Sequence, residues 1–185
     1  MARLDNEARN ELLTIARQSI REGLRGRRYV PPVPRRPSLR EPAGAFVTLH
    51  EAGALRGCIG TFQADRPLYR NVAEMARAAA FEDPRFPPLQ PDEFDRIDLE
   101  ISVLTPMRRV ESPEEVEVGR HGVYIVHGPH RGVLLPQVAA EQGWDRETFL
   151  DHTCLKAGLP RKAWRSGAEI YVFEAEVFGE EQGAR

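Results

Sequence analysis

The chain has 185 residues, of which 41% are hydrophobic and 29% charged, with a formal charge of −2 at pH 7. That length supports one sizeable core and makes a single domain the default, while the composition excludes a wholly disordered chain. No global positive field points to nucleic acid or acidic lipid, no run of about 18 apolar residues suggests a membrane-spanning helix, and two cysteines are too few for a disulfide framework. The opening, Met1 to Glu7, is polar and lacks a secretory apolar region, so a cytoplasmic protein with reduced thiols is expected. Its cations are almost all arginine, with Lys156 and Lys162 the only lysines.

Leu12, Leu13, Ala16, Ile20 and Leu24 follow helical spacing, which predicts an amphipathic helix from about Asn6 to Leu24, capped by Asp5 or Asn6 and ending near Gly26. Residues 29–43 carry Pro31, Pro32, Pro34, Pro37 and Pro42 and read as an extended surface connector. A strand-like run from Ala45 to His50, a turn at Ala52-Gly53 and a return strand through Leu55 to Gly60 form a predicted hairpin. Pro67, with Asp65 as a nearby cap, starts a helix to about Phe81 whose stripe is Leu68, Val72, Met75, Ala76 and Ala79. The helix stops before Asp83-Pro-Arg-Phe-Pro-Pro88, a stiff loop.

Ile97 to Leu104 alternates apolar and polar residues and reads as a strand closed by Pro106. A short helical turn or strand is expected near Glu114 to Val116, then a strand from Val123 to His127 and a turn over Gly128 to Gly132 before Val133 to Leu135. Helices follow from Pro136 to about Gln142 and, capped by Asp145, from Arg146 to Ala157. A turn runs from Pro160 to Trp164, and one long strand from Ala168 to Phe178 precedes a polar tail. This order lacks regular βαβ alternation. It predicts an α+β fold with a mostly antiparallel sheet flanked by helices.

The chemistry is concentrated in Leu55-Arg-Gly-Cys-Ile-Gly60. Strict alternation along a strand would put Arg56 and Cys58 on one face, with Cα atoms roughly 6–7 Å apart. A guanidinium there would favour the reactive thiolate of Cys58, and the flanking Gly57 and Gly60 allow close approach or offer backbone N–H groups to an oxyanion. The bland reading of Cys58 is a small hydrophobe, and that is the reading for Cys154, which shares a helical stripe with Leu150 and Ala157. His121, at a strand entrance, is either a general base for the thiol or a structural imidazole. Asp83 and Arg85 make either a structural corner with a local ion pair or a carboxylate and guanidinium presented to a cleft. Glu100 lies on the polar face of its strand, and Gln137 sits at a helix N-terminus where it can meet a ligand. No metal site is expected, because His50, His127, His130 and His152 lack ligand spacing.

The hexapeptide resembles the signature of the AMMECR domain family, also called AmmeMemoRadiSam system protein A. The likeness continues in the family's order through Gly44-Ala-Phe-Val-Thr-Leu49, Asp83-Pro-Arg-Phe86, Glu100-Ile-Ser-Val-Leu104, Gly119-Arg-His-Gly122, Gly132-Val-Leu-Leu-Pro-Gln-Val138 and Lys156-Ala-Gly-Leu159. It makes residues 8–180 one AMMECR-type domain, with 29–43 as connector and 181–185 as tail. The resemblance implies an α+β fold of two unequal subdomains with a cleft between them, and a link to Memo-like proteins and radical S-adenosylmethionine enzymes as partners. By carry-over of the motifs, Arg56, Gly57, Cys58 and Gly60 are the first site residues; Asp83, Arg85, Glu100, His121 and Gln137 follow. Two functions remain open: an enzyme with Cys58 as nucleophile and His121 as base, or a non-catalytic binding module. Neither names a cofactor, and a nucleic-acid role has no basic stripe behind it.

Overall fold

The computed structural model describes residues 4–180; the polar tail expected at 181–185 and the first three residues lie outside them. Helix α1 spans Asn6–Leu24, and Asp5 Oδ1 caps it by accepting the Ala8 N–H at 2.7 Å. Its buried stripe includes Ala8, Leu12, Ala16 and Ile20. At its end Gly26 takes a left-handed φ of 70°, and the Arg27 N–H donates to the Glu22 carbonyl at 2.9 Å, a Schellman reversal.

The connector is not extended throughout, as its prolines suggest. It contains a one-turn helix, α2 (Pro37–Arg40), whose Leu39 is fully buried. That anchor brings the Glu41 carbonyl onto the Leu68 N–H at 3.0 Å, at the start of helix α3 (Leu68–Phe81). Pro67 therefore precedes the helix instead of opening it, and a backbone carbonyl takes the capping role expected of Asp65.

The strands are β1 (Ala45–Glu51), β2 (Ala54–Thr61), β3 (Ile97–Leu104), β4 (Arg108–Arg109), β5 (Gly122–His127), β6 (His130–Leu134), β7 (Glu169–Phe173) and β8 (Ala175–Gly179). They form two four-stranded sheets, ordered β2-β1-β3-β8 and β4-β7-β5-β6, and the fold class is α+β as expected. The chain divides into two compact units: residues 4–104 with 176–180, and residues 105–175. In the first, Ala45, Val47 and Leu49 of β1 and Ile97, Leu99 and Ile101 of β3 share a core with α1 and α3. In the second, helices α4 (Pro136–Gln142) and α5 (Arg146–Lys156) accompany the sheet, and Val123, Ile125, Phe149, Leu150, Cys154 and Trp164 form the core.

Two further expectations are corrected. Residues 168–178 make two strands in different sheets: at Glu174, between them, the N–H donates to Thr105 Oγ1 at 2.8 Å and the carbonyl accepts the Thr105 N–H at 2.9 Å. Uninterrupted alternation could not reveal that break. The second hairpin turns on Gly128-Pro129 alone, with His127 opposite His130; Gly132 lies in β6, where a Cβ would collide with the backbone of α5. The helical turn expected near Glu114 is present as a 3-10 turn over Pro113–Glu115, and the short strand β4, paired to β7, precedes it.

Helix α3 lies so close to β2 that a Cβ on Gly57 would collide with the Ala79 carbonyl oxygen. Gly57→Ala should therefore lower stability by about 1–3 kcal/mol, the usual cost of overpacking. Urea unfolding checks this, and an unchanged midpoint would refute the close approach.

Candidate functional site

The antiparallel register sets Thr48 of β1 opposite Cys58 of β2 on one side and opposite Glu100 of β3 on the other. The three side chains thus form a row on the sheet face away from Val47 and Leu49. Paired residues in such a ladder bring Cβ atoms to about 4.5–5.5 Å. Thr48 Oγ1 donates a hydrogen bond to Cys58 Sγ at 3.2 Å. Glu100 is half-buried and has no hydrogen-bond or ion-pair partner among the described residues. Its oxygens are therefore left open to a ligand or water.

β2 is an edge strand, so alternate residues turn their backbone N–H and C=O outward. Cys58 is one of these. Its N–H donates to Asp83 Oδ2 at 2.9 Å, and its carbonyl accepts Arg85 Nη2 at 3.2 Å. Asp83 is only 4% exposed and also accepts the Arg85 Nε–H at 2.9 Å and Nη2–H at 2.7 Å. The Arg85 guanidinium, followed by the Cys58 and Arg85 backbone N–H groups, holds the Asp83 carboxyl well below the usual carboxylate range against the opposing effect of burial. The same bond raises Arg85. Of the two readings of this loop, the side chains make the ion pair, and they turn it onto the Cys58 peptide.

Arg56 departs from its expected role. The β1–β2 register shifts, with Leu49 opposite Gly57 but His50 opposite Leu55, so Arg56 is the extra residue of a β-bulge. Strict alternation, on which a shared face with Cys58 rested, does not hold across it. The guanidinium forms a two-pronged pair with Glu93, Nε to Oε1 at 2.7 Å and Nη2 to Oε2 at 3.0 Å. This hydrogen bonding raises Arg56 and lowers Glu93, so the arginine charge is already answered. Gly60 also has a packing reason: the Phe46 ring occupies the space a Cβ would need, and Phe62 meets that ring edge-on at 4.8 Å.

His121 and Gln137 belong to the second unit. His121 is 6% exposed; its Nδ1 accepts the Glu117 N–H at 3.1 Å, and its own N–H donates to the Glu117 carbonyl at 2.9 Å. The ring closes a turn, which is the structural reading of this histidine. Gln137 is the second residue of α4 and is half-buried. Cys154 is fully buried, and burial pushes its thiol up. Among the described residues no group of histidine, cysteine, aspartate and glutamate could hold a metal ion, and no helix is long and apolar enough to cross a membrane.

Sequence reasoning did not single out Thr48 or Glu93. Thr48 lies in Gly44 to Leu49, and pairing that strand with the hexapeptide would have set it against Cys58. Glu93 lies 37 residues beyond Arg56, and no local pattern joins them.

A family model described as AMMECR1 matches residues 13–178. The chain is 44% identical over 178 residues to Protein NEQ441 of Nanoarchaeum equitans, covering 92% of this chain and 99% of that one. It is 45% identical over 181 residues to Protein MK0488 of Methanopyrus kandleri, with 92% and 87% covered. The crystal structure of uncharacterized protein PH0010 from Pyrococcus horikoshii superposes with a TM-score of 0.84 at 42% identity, covering 92% of this chain and 90% of that chain. The chain belongs to the AMMECR1 family.

Replacing Asp83 by alanine would leave the Cys58 N–H without its acceptor and release Arg85, at a cost of about 1–3 kcal/mol. Because the folded-state carboxyl titrates below its unfolded value, this contribution is complete above about pH 4. It declines as the pH falls further toward the folded-state value. Urea unfolding of both proteins should show a gap at neutral pH that narrows in acid; a gap that widens in acid would reverse the assignment.

Proposed function

We propose that this protein is a cytoplasmic enzyme that acts on a small molecule or modified group through Cys58, by acyl or related group transfer. The observation that carries this reading is the row in which Thr48 Oγ1 donates to Cys58 Sγ at 3.2 Å while Glu100, in register with Thr48 on the next strand, has no side-chain partner among the described residues. A hydroxyl donor stabilises sulfur as it gains negative charge, and a carboxylate on the far side of that threonine can accept the proton through a water.

In the proposed step the Cys58 S–H proton passes through a water to Glu100, while the Thr48 hydroxyl donates to the sulfur it leaves. Sγ then bonds to the carbonyl carbon of an activated ester or thioester, the carbon–leaving-group bond breaks, and the leaving group takes the proton from Glu100. A water or amine nucleophile next attacks the thioester, receives the acyl group, and returns a proton to Sγ. The Cys58 N–H is held by Asp83 and does not serve as an oxyanion donor in this arrangement. His121, whose Nδ1 is engaged by Glu117, is replaced as base by Glu100.

A second reading rests on how little of the hexapeptide is free: Arg56 is tied to Glu93, the Cys58 peptide is clamped, and Gly57 and Gly60 are needed for packing. A rigid surface of that kind suits a binding module for the Memo-like and radical S-adenosylmethionine proteins that the family resemblance suggests.

Exposure to a p-nitrophenyl ester or an acyl thioester, followed by mass spectrometry, separates the two. The enzyme reading expects an acyl adduct on Cys58 and none on Cys154. It further expects Glu100→Gln to slow acylation by roughly a hundredfold or more, the typical worth of a positioned base. If Cys58 acquires no adduct while Cys58→Ser retains the binding of a partner, the module reading replaces it.

A further inference from the structure

A concave site lies in the first unit, and its lining includes none of the residues of the Cys58 row. A groove of about 860 Å³ is lined by Arg27, Arg28, Arg66, Arg70 and Arg77, with Glu74 and Glu82 the only carboxylates among its lining residues. Its formal lining charge is therefore +3, in a chain whose net charge is −2. The other large groove of this unit, along α1, is lined by Arg9, Arg17 and Arg21 against Asp95, Asp98 and Glu180, which balance. The excess is thus a property of this groove and not of arginine-rich grooves in general.

Two pieces of local structure build it. On α3, Arg70 and Arg77 follow the seven-residue spacing that keeps side chains on one helix face, and Arg66 joins them from the turn before the helix, where it pairs with Glu74. Opposite, the Schellman reversal at Gly26 sends the chain sharply out of α1 and carries Arg27, Arg28 and Tyr29 to the groove. Gly23 and Ala73 give it small lining residues between the two arginine banks.

Three of the arginines have carboxylate partners: Arg27 with Glu22 at 2.6 Å, Arg66 with Glu74 at 2.6 Å, and Arg77 with Glu82. These pairs are largely exposed on their arginine side, and such pairs are easily exchanged for a better anion. Among the described residues Arg28 has no hydrogen-bond or ion-pair partner, and Arg70 has no carboxylate, donating to the Tyr69 hydroxyl at 3.0 Å and lying over its ring. A guanidinium presents its donors as a fork that matches two oxygens of a phosphoryl group. The volume is that of a small-molecule site.

The geometry points to a binding site in this groove for a compact polyanion, a small molecule carrying a di- or triphosphate group, held by Arg28 and Arg70 and supported by Arg66 and Arg77. Such a site gives the protein a ligand or effector recognised by charge at a place distinct from the thiol.

The test uses the full chain with inorganic tripolyphosphate as probe, by calorimetry and by amide chemical shifts. Saturable one-to-one binding that weakens with added salt is expected. Arg28→Ala and Arg70→Ala should each weaken it by about tenfold, the effect of losing one charge-assisted contact. Arg131→Ala, an exposed arginine of the second unit, should leave it unchanged. Shifts should concentrate at residues 23–31 and 66–77. Absence of saturable binding overturns the proposal. Equal weakening by all three variants, or shifts spread over the surface, also overturns it, because either marks a nonspecific response to charge. Circular dichroism confirms that the variants remain folded, and Arg70→Lys, which keeps the charge but loses the fork, should fall between wild type and Arg70→Ala.

Discussion

A buried carboxylate makes the middle of β2 what it is. Asp83 receives the Cys58 N–H and the forked Arg85 guanidinium together, and Arg85 reaches back to the Cys58 carbonyl, so one peptide is held on both of its polar atoms by a loop. Without those partners an edge strand interrupted by two glycines would lose main-chain order where it carries its thiol. The prolines at 84, 87 and 88 stiffen the loop, so the carboxylate is in place before it meets the strand. On the other side of the cysteine, Thr48 belongs to β1, which is paired on both flanks. The sulfur is therefore set between a rigid sheet interior and a loop clamp.

Arginine recurs because several of these tasks need a planar fork. Arg56 on Glu93, Arg85 on Asp83 and Arg17 on Glu180 each make more than one hydrogen bond to a single carboxylate. A lysine supplies a point charge and could not reproduce that geometry. The arginine-rich composition, uninformative by itself, acquires a structural meaning only when the pairs are seen.

Where the determinants are local, the sequence was a reliable guide. Asp5, the stripe to Ile20 and Gly26 defined α1, alternation from Ile97 to Val103 defined β3, and Asp145 and Gly158 bracketed α5. Reading failed where a partner decides. The bulge at Arg56 exists because of the register with His50 and Leu49, and the break at Glu174 exists because its neighbours pair in different sheets. Leu39 was one apolar residue among prolines, with nothing local to mark it as an anchor. The hexapeptide drew attention to Cys58, but the meaning of Glu100 depended on which strand lay beside Thr48.

The clamp at Cys58 also bears on how this molecule meets others. An edge strand normally displays a ladder of open donors and acceptors, an invitation for a foreign strand to add itself. On β2 the central rung is already taken by side chains, Asp83 on the donor and Arg85 on the acceptor. An incoming strand would have to displace a buried carboxylate from the Cys58 N–H and a guanidinium from its carbonyl before it could pair there, so the same contacts that order the thiol close this edge against β-augmentation and aggregation in that register.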